Sequence, residues 1–328
     1  MRSSLLSYIA VSAAVLTIAS CVRKELPVPA HEPGANVTAT VSMGADYRWQ
    51  YFYDLETNTV VGKNLKDSWN LGFETSRDGY RVILNTALPM FAYPTGKTAF
   101  GSVVMADTAG RKKWDSPTGS PDSTAIGDWR ASGQVYIIDR GYSADLIHQG
   151  YRKVQFLTVD ESRYSVRIAR MNGSDEVVID VPKDSLYNFT FLSLDASPAV
   201  VQAEPPRDKW DLVFTQYTHI FYDLNEPYLV TGCLLNRFST AAVMDSTVGY
   251  ADITYTSAQG YSLSPFINTI GYDWKTVGST GGGGSDYKVH IHMNYIIRTS
   301  SQSYFKLRFI DFYDNKVKGN PKWEFQKL

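Results

Sequence analysis

From Phe305 onward apolar and polar residues alternate, with Phe305, Leu307 and Phe309 expected on one side and Lys306 and Arg308 on the other. A period of two marks a strand that buries one face. Similar runs occupy 49–55, 69–84, 154–159, 165–169 and 177–181, then 189–194, 210–221, 228–235, 289–298, 305–312 and 322–326. Between them, 108–133 and 279–286 are rich in Gly, Pro, Ser and Asp and read as long loops, the second carrying Gly281 to Gly284. Loops on a strand scaffold are where binding residues collect.

The residues repeat as well as the pattern. Asp67-Ser68-Trp69-Asn70-Leu71-Gly72-Phe73 returns as Asp208-Lys209-Trp210-Asp211-Leu212-Val213-Phe214, 141 positions on (210 minus 69). Tyr151-Arg152-Lys153-Val154-Gln155-Phe156 returns as Tyr304-Phe305-Lys306-Leu307-Arg308-Phe309, 153 positions on (304 minus 151), each after a Tyr-Ile-Ile segment at 136–138 and 295–297. Matching blocks in matching order argue for duplication of one β unit. The 22 Tyr, 15 Phe and 7 Trp, with few helix-favouring runs, point the same way. The expected fold is all-β, as two tandem antiparallel units at 46–187 and 188–328 with long connecting loops.

The N-terminus changes the compartment. Arg2, an apolar stretch from Leu5 to Ile18, and then small Ala19 and Ser20 follow the order of a secretory signal. That stretch is short for a bilayer span. Ile18-Ala19-Ser20-Cys21 also fits the lipobox of bacterial lipoproteins, in which cleavage leaves Cys21 as the lipidated first residue. Residues 1–20 are expected to be the signal peptide and 21–45 a tether, with Pro27, Pro29, Pro33 and Gly34 and no periodicity. Cys233 is then left without a disulfide partner and reads as a buried thiol. The expected location is the outer membrane, held by the lipid, at the cell surface or on the periplasmic face. Lys plus Arg number 32 against 33 Asp plus Glu, so no nucleic-acid footprint is expected.

Trp49-Gln50-Tyr51-Phe52, the Trp69 to Phe73 block, and the ending Tyr304 to Tyr313 with Gly319 and Trp323-Glu324-Phe325 resemble the HmuY family of Bacteroidota lipoproteins. The resemblance implies an all-β fold. It also implies capture of haem between two axial side chains, His or Met, as a transported ligand passed to an outer-membrane transporter. In the family those ligands lie on the segment joining the two halves, and here 106–147 and 245–289 contain neither His nor Met. The candidates flank those segments: Met105 and His148 in the first unit, Met244, His290 and His292 in the second. Tyr255, Tyr261 and Tyr272 lie inside the second segment, and Tyr can ligate haem iron. The implied function is an outer-membrane lipoprotein that binds haem or a similar planar ligand for uptake. The alternative is a surface adhesion or scaffold lipoprotein on the same fold that binds no haem.

Other chemistry weighs against these candidates. His290 and His292, two apart on an expected strand, would share one face with Lys288 and Asn294, and a metal site needs a third ligand that no spacing supplies. A polar strand face is the simpler reading. Met105 and Met244 follow β-branched residues and suit core packing, while His148 and His219 are isolated. No metal is expected beyond the haem iron. Thr95-Gly96-Lys97-Thr98 ends like a phosphate loop, but Phe91 stands where a glycine is needed. With no nucleophile elbow and no H-E-x-x-H motif, the chain is expected not to be an enzyme.

Overall fold

A computed structural model of the chain describes residues 32–224, 226–279 and 285–328. Cys21, the expected signal peptide and Gly281 to Gly284 lie outside them. The strands, in chain order, are β1 (Asn36–Thr40), β2 (Trp49–Asp54), β3 (Thr59–Leu65), β4 (Leu71–Glu74), β5 (Val82–Leu84), β6 (Phe91–Pro94), β7 (Val135–Asp139), β8 (Tyr151–Val159), β9 (Arg163–Arg170) and β10 (Val177–Pro182). They continue as β11 (Phe189–Ser193), β12 (Ala199–Val201), β13 (Leu212–Phe221), β14 (Glu226–Leu235), β15 (Ala241–Asp245), β16 (Lys275–Ser279), β17 (Ser285–Val289), β18 (Asn294–Arg298), β19 (Tyr304–Asp314) and β20 (Val317–Lys327). Among the described residues one short α-helix, α1 (Tyr255–Gln259), and three 3-10 turns join them, and the fold is all-β. Among the described residues no helix is long and apolar enough to cross a membrane.

Two pairs of sheets divide these strands. In one pair the orders are β12-β11-β4-β5 and β10-β9-β8-β7-β6; in the other they are β3-β2-β13-β14 and β1-β20-β19-β18-β15, with β16-β17 as a separate hairpin. The first pair uses the contiguous stretch 71–201, here lobe I. The second joins β1–β3 to β13–β20, here lobe II. The repeated blocks take equivalent places: Trp69 to Phe73 lead into β4 and Trp210 to Phe214 into β13, while Tyr151 to Phe156 lie in β8 and Tyr304 to Phe309 in β19.

Sheet membership does not follow the expected division at 187/188. Phe52 of β2 pairs with Val213 of β13, and Phe191 of β11 pairs with Gly72 of β4, so each segment places its opening hairpin beside the other's strand. Residues 36–43, expected in the tether, belong to the fold. Asn36–Thr40 pair with β20, and Val41 and Met43 are buried in the core. Their apolar side chains have more to gain from burial there than in solvent.

Each lobe has its own core. Leu71, Phe73, Tyr136, Phe156, Tyr164 and Leu192 are among those that fill lobe I, and Tyr53, Phe214, Trp274, Phe309, Phe312 and Trp323 are among those of lobe II. Cys233 is a buried free thiol in the latter. Gly319 has φ +88° and lies against the Gly44 carbonyl, a close approach in a backbone region that side chains rarely enter.

The alternation in β19 is only half realised. Phe305, Leu307 and Phe309 are buried as expected, yet Lys306 is only 5% exposed. The connection after β15 covers that second face with Ile253 and Ala258, joined by the C-terminal Leu328. Lys306 Nζ donates to the Ile253 carbonyl at 3.0 Å and lies 4.9 Å from the Tyr250 ring. Lobe I repeats the device: Lys153 Nζ donates to the Phe100 carbonyl at 3.3 Å and lies 4.9 Å from the Phe100 ring. Burying an ammonium is tolerated because it is hydrogen-bonded and faces a ring's electron-rich surface.

Candidate functional site

The strand register builds an open groove at one end of lobe I. Arg152 on β8 stands opposite Arg170 on β9, which sets Tyr151 beside Met171 in the turn after β9. The connection from β6 to β7 passes over this end as a tight 3-10 turn, Met105–Thr108. Met105, Tyr151, Arg152, Arg170, Met171 and Asn172 thus line one shallow, wide-open surface depression. Met105 is 41% exposed, so the expectation that it packs in the core is corrected: it lies on a surface turn beside the groove.

Charge in the groove is predominantly positive. Arg170 Nε meets Asp175 Oδ2 at 2.7 Å, whereas Arg152 makes no ion pair among the described residues. Burial, followed by the like charges of Arg140 and Arg170, holds the Arg152 pKa below the ordinary arginine value. Arg140 is itself paired with Asp195, and Arg170 with Asp175, so Arg152 is the guanidinium left to take an anion, which a carboxylate can satisfy through two parallel hydrogen bonds.

His148 sits beside the groove without lining it. Its Nε2 is 2.8 Å from Asp139 Oδ1, and its ring lies 5.1 Å from Tyr142 and 5.2 Å from Tyr151. The carboxylate and the rings orient the imidazole; Asp139 also accepts the Gly141 N–H at 3.0 Å.

The other three candidates belong to lobe II. Met244, on β15, is 41% exposed, which likewise corrects the core-packing expectation. His290 and His292 do not share a strand. The run expected at 289–298 breaks into β17 and β18, and the two imidazoles occupy the intervening turn with ring centroids 5.8 Å apart. Asn294, expected on their polar face, is buried and donates to the Val248 carbonyl at 2.7 Å. No group of three or more His, Cys, Asp or Glu able to hold a metal occurs among the described residues. Met171 escaped the sequence reading because its place beside Met105 depends on the β8–β9 register and on a chain crossing 66 positions away (171 minus 105).

A second concavity, half open and about 280 Å³, lies at the seam between the two lobes. Phe52, Trp69, Ile83, Phe191, Trp210 and Ile267 supply much of its apolar wall. Two equivalent ring pairs frame it, Phe52 with Trp210 at 5.0 Å and Trp69 with Phe191 at 4.5 Å. None of its lining residues is His, Met, Tyr or Cys, so it offers no side chain of the kinds that ligate haem iron.

Comparison with known proteins adds the family. The HmuY protein family model matches residues 46–325. No curated protein matches the chain. Solved structures with similarity include apo PinO from Porphyromonas gingivitis, at 9% identity and TM-score 0.25, covering 90% of this chain and 97% of that one. The Tannerella forsythia apo HmuY analog matches at 10% identity and TM-score 0.24, covering 91% and 99%. A Bacteroides vulgatus protein described as HmuY-like and heme binding matches at 11% identity and TM-score 0.23, covering 90% and 97%. The family match spans most of the sequence, and the chain belongs to the HmuY family.

Proposed function

From membership of the HmuY family, we propose that this chain is a lipid-anchored outer-membrane protein, through Cys21, that captures haem or a related planar carboxylate-bearing ligand for uptake by a membrane transporter. The observation that carries the reading is the lobe I groove, where two thioethers, a phenol ring and two guanidiniums converge. Met105 and Met171 are soft donors of a kind that ligates haem iron. Arg152 and Arg170 suit the carboxylates of the ligand's edge. The Tyr151 ring provides an apolar surface beside them. No catalytic constellation enters this reading.

The test is haem titration of the full chain carrying Cys21→Ser, which takes no lipid, followed by absorbance. The expected result is a saturable Soret shift that Met105→Ala with Met171→Ala weakens at least ~100-fold, about 2.7 kcal/mol. Met244→Ala, or His290→Ala with His292→Ala, leaves it unchanged. Loss in a lobe II variant instead would move the site, and absence of any saturable shift would favour the adhesion or scaffold reading.

A further inference from the structure

Beside the lobe I groove, one carboxylate gathers an imidazole and a phenol. Asp139 ends β7 directly opposite Tyr151 on β8 and Phe91 on β6. Residues so paired have Cβ atoms about 4.5–5.5 Å apart, which sets the Tyr151 phenol and the Asp139 carboxylate on one face. Burial, then the charge of Asp139 and a hydrogen bond to it, raise the Tyr151 pKa. Tyr93, two positions from Phe91, shares that face, and burial, then Asp139 and Tyr151, push its phenol up to about 12.

The loop between β7 and β8 brings His148 back to the same place. Tyr142 bridges to His148, the Ser143 N–H donates to the Ile147 carbonyl and the Gln149 N–H to that of Gly141, each at 2.9 Å. This fold-back sets His148 Nε2 2.8 Å from Asp139 Oδ1, with the Tyr151 ring 5.2 Å from the imidazole. Asp139 is 8% exposed, and the Gly141 N–H fixes the same oxygen at 3.0 Å. The neighbouring Arg140 is paired with Asp195 and donates to the Gln149 carbonyl at 3.1 Å, so its charge is spent elsewhere.

Asp139 and His148 are too few to hold a metal by themselves, and a phenolate completes the set. Two donors at right angles, each about 2.1 Å from an octahedral ion, stand about 3.0 Å apart. The 2.8 Å between Nε2 and Oδ1 is close to that, so the pair can pass from a hydrogen bond to a shared ion with little movement. The His148 side chain is 32% exposed, which gives an ion a way in. Two anionic oxygens with one imidazole suit neither calcium nor magnesium, which take oxygen ligands, nor the soft ions that select thiolate. A small, highly charged ion able to draw the proton from a phenol fits this set.

We propose that Asp139, His148 and Tyr151 form a mononuclear site for ferric iron released from a soluble chelate, ligated by a carboxylate oxygen, an imidazole nitrogen and a phenolate oxygen. The Tyr151 proton leaves to solvent, and water or chelate oxygens fill the ion's remaining positions. This iron carries no porphyrin, and the site stands apart from the haem reading, sharing only Tyr151 with its groove.

The probe is ferric nitrilotriacetate, titrated into the full chain carrying Cys21→Ser and followed by visible absorbance and EPR. The expected result is saturable binding of one ion per chain, with a phenolate-to-iron charge-transfer band and a high-spin ferric signal. Tyr151→Phe, the most conservative change, is expected to remove the band, whereas Tyr142→Phe keeps it. Asp139→Asn and His148→Gln should each weaken binding by more than the roughly 10- to 100-fold cost of a lost outer-shell partner, with urea unfolding confirming that each variant is folded. Met105→Ala with Met171→Ala retains the band, so loss of haem binding with the band intact would remove the haem reading alone. Absence of a saturable band, a band that survives Tyr151→Phe, or zinc displacing the iron at equal concentration would overturn the proposal.

Discussion

Lobe I and lobe II run equivalent strands through equivalent sheets, yet at the matching end one is open and the other filled. In lobe I that end presents Met105, Tyr151, Arg152, Arg170 and Met171 around a groove. The places taken in lobe II by Tyr304, Phe305, Lys327 and Leu328 follow from register, since Phe305 pairs with Lys327 as Arg152 pairs with Arg170. Phe305 and Leu328 are 2% and 3% exposed, and the Tyr304 ring meets Tyr255 of α1 edge-on at 5.8 Å. Replacing a guanidinium by a phenyl ring turns a place that must stay solvated into one that gains from closure. The same scaffold thus yields a groove or a core according to a few side chains, and Lys153 and Lys306 keep the same buried contacts in both.

The largest difference between the lobes should appear in their cores. Trp323 on β20 is fully buried and stacked on Phe214 at 4.3 Å, whereas the corresponding place on β9 holds Val166. Trp323→Ala is expected to cost about 3–5 kcal/mol in urea unfolding, and Val166→Ala roughly 2 kcal/mol. Equal costs would mean that the stacked indole contributes no more than an aliphatic side chain.

A smaller effect tests likeness instead. Asn85 Nδ2 donates to the carbonyls of Lys66 and Trp69 at 2.7 and 2.8 Å, and Asn236 Nδ2 to those of Arg207 and Trp210 at 2.8 and 3.0 Å. Asn85→Ala and Asn236→Ala should each cost about 1–3 kcal/mol and agree within about 0.5 kcal/mol. A clear disparity would show that the two connections, though alike in geometry, carry different loads.

The smallest effect is one of pH. Asp211 Oδ2 accepts the Leu55 N–H at 3.0 Å where, in lobe I, Asn70 Oδ1 accepts that of Leu194 at 2.7 Å. Burial pushes Asp211 up to about 6, against about 3.9 in an unfolded chain. Between those values the folded state binds more protons, so this group's contribution is fully favourable below about pH 4 and is lost as pH rises through about 6. Asp211→Asn, which installs the lobe I residue, should flatten that part of the profile. Comparing urea midpoints at pH 4 and pH 7 checks it, and an unchanged difference between them would remove Asp211 as its source.

Much of this was legible in the chain. The strands around Trp49, Tyr151, Trp210 and Tyr304 followed from alternation, and the family resemblance on those residues holds over 46–325. The groove was legible only in part: Met105 was named, but Met171 and the two arginines were not. A thioether far along the chain carries no local mark of what it will face. The His290–His292 pair misled because two-residue spacing implies a shared face only while the backbone stays extended, and here the chain turns.

The sequence by itself determined the all-β class, the recurrence of one strand pattern and the family, because side-chain alternation and repeated motifs are properties of neighbouring residues. Tertiary structure alone decided which strands share a sheet, how the opening hairpins lie beside the other segment's strands, and why Lys306 is buried while Arg152 lines a groove. Those outcomes depend on pairings across more than a hundred residues and on the loops that cover each face, which no local pattern encodes.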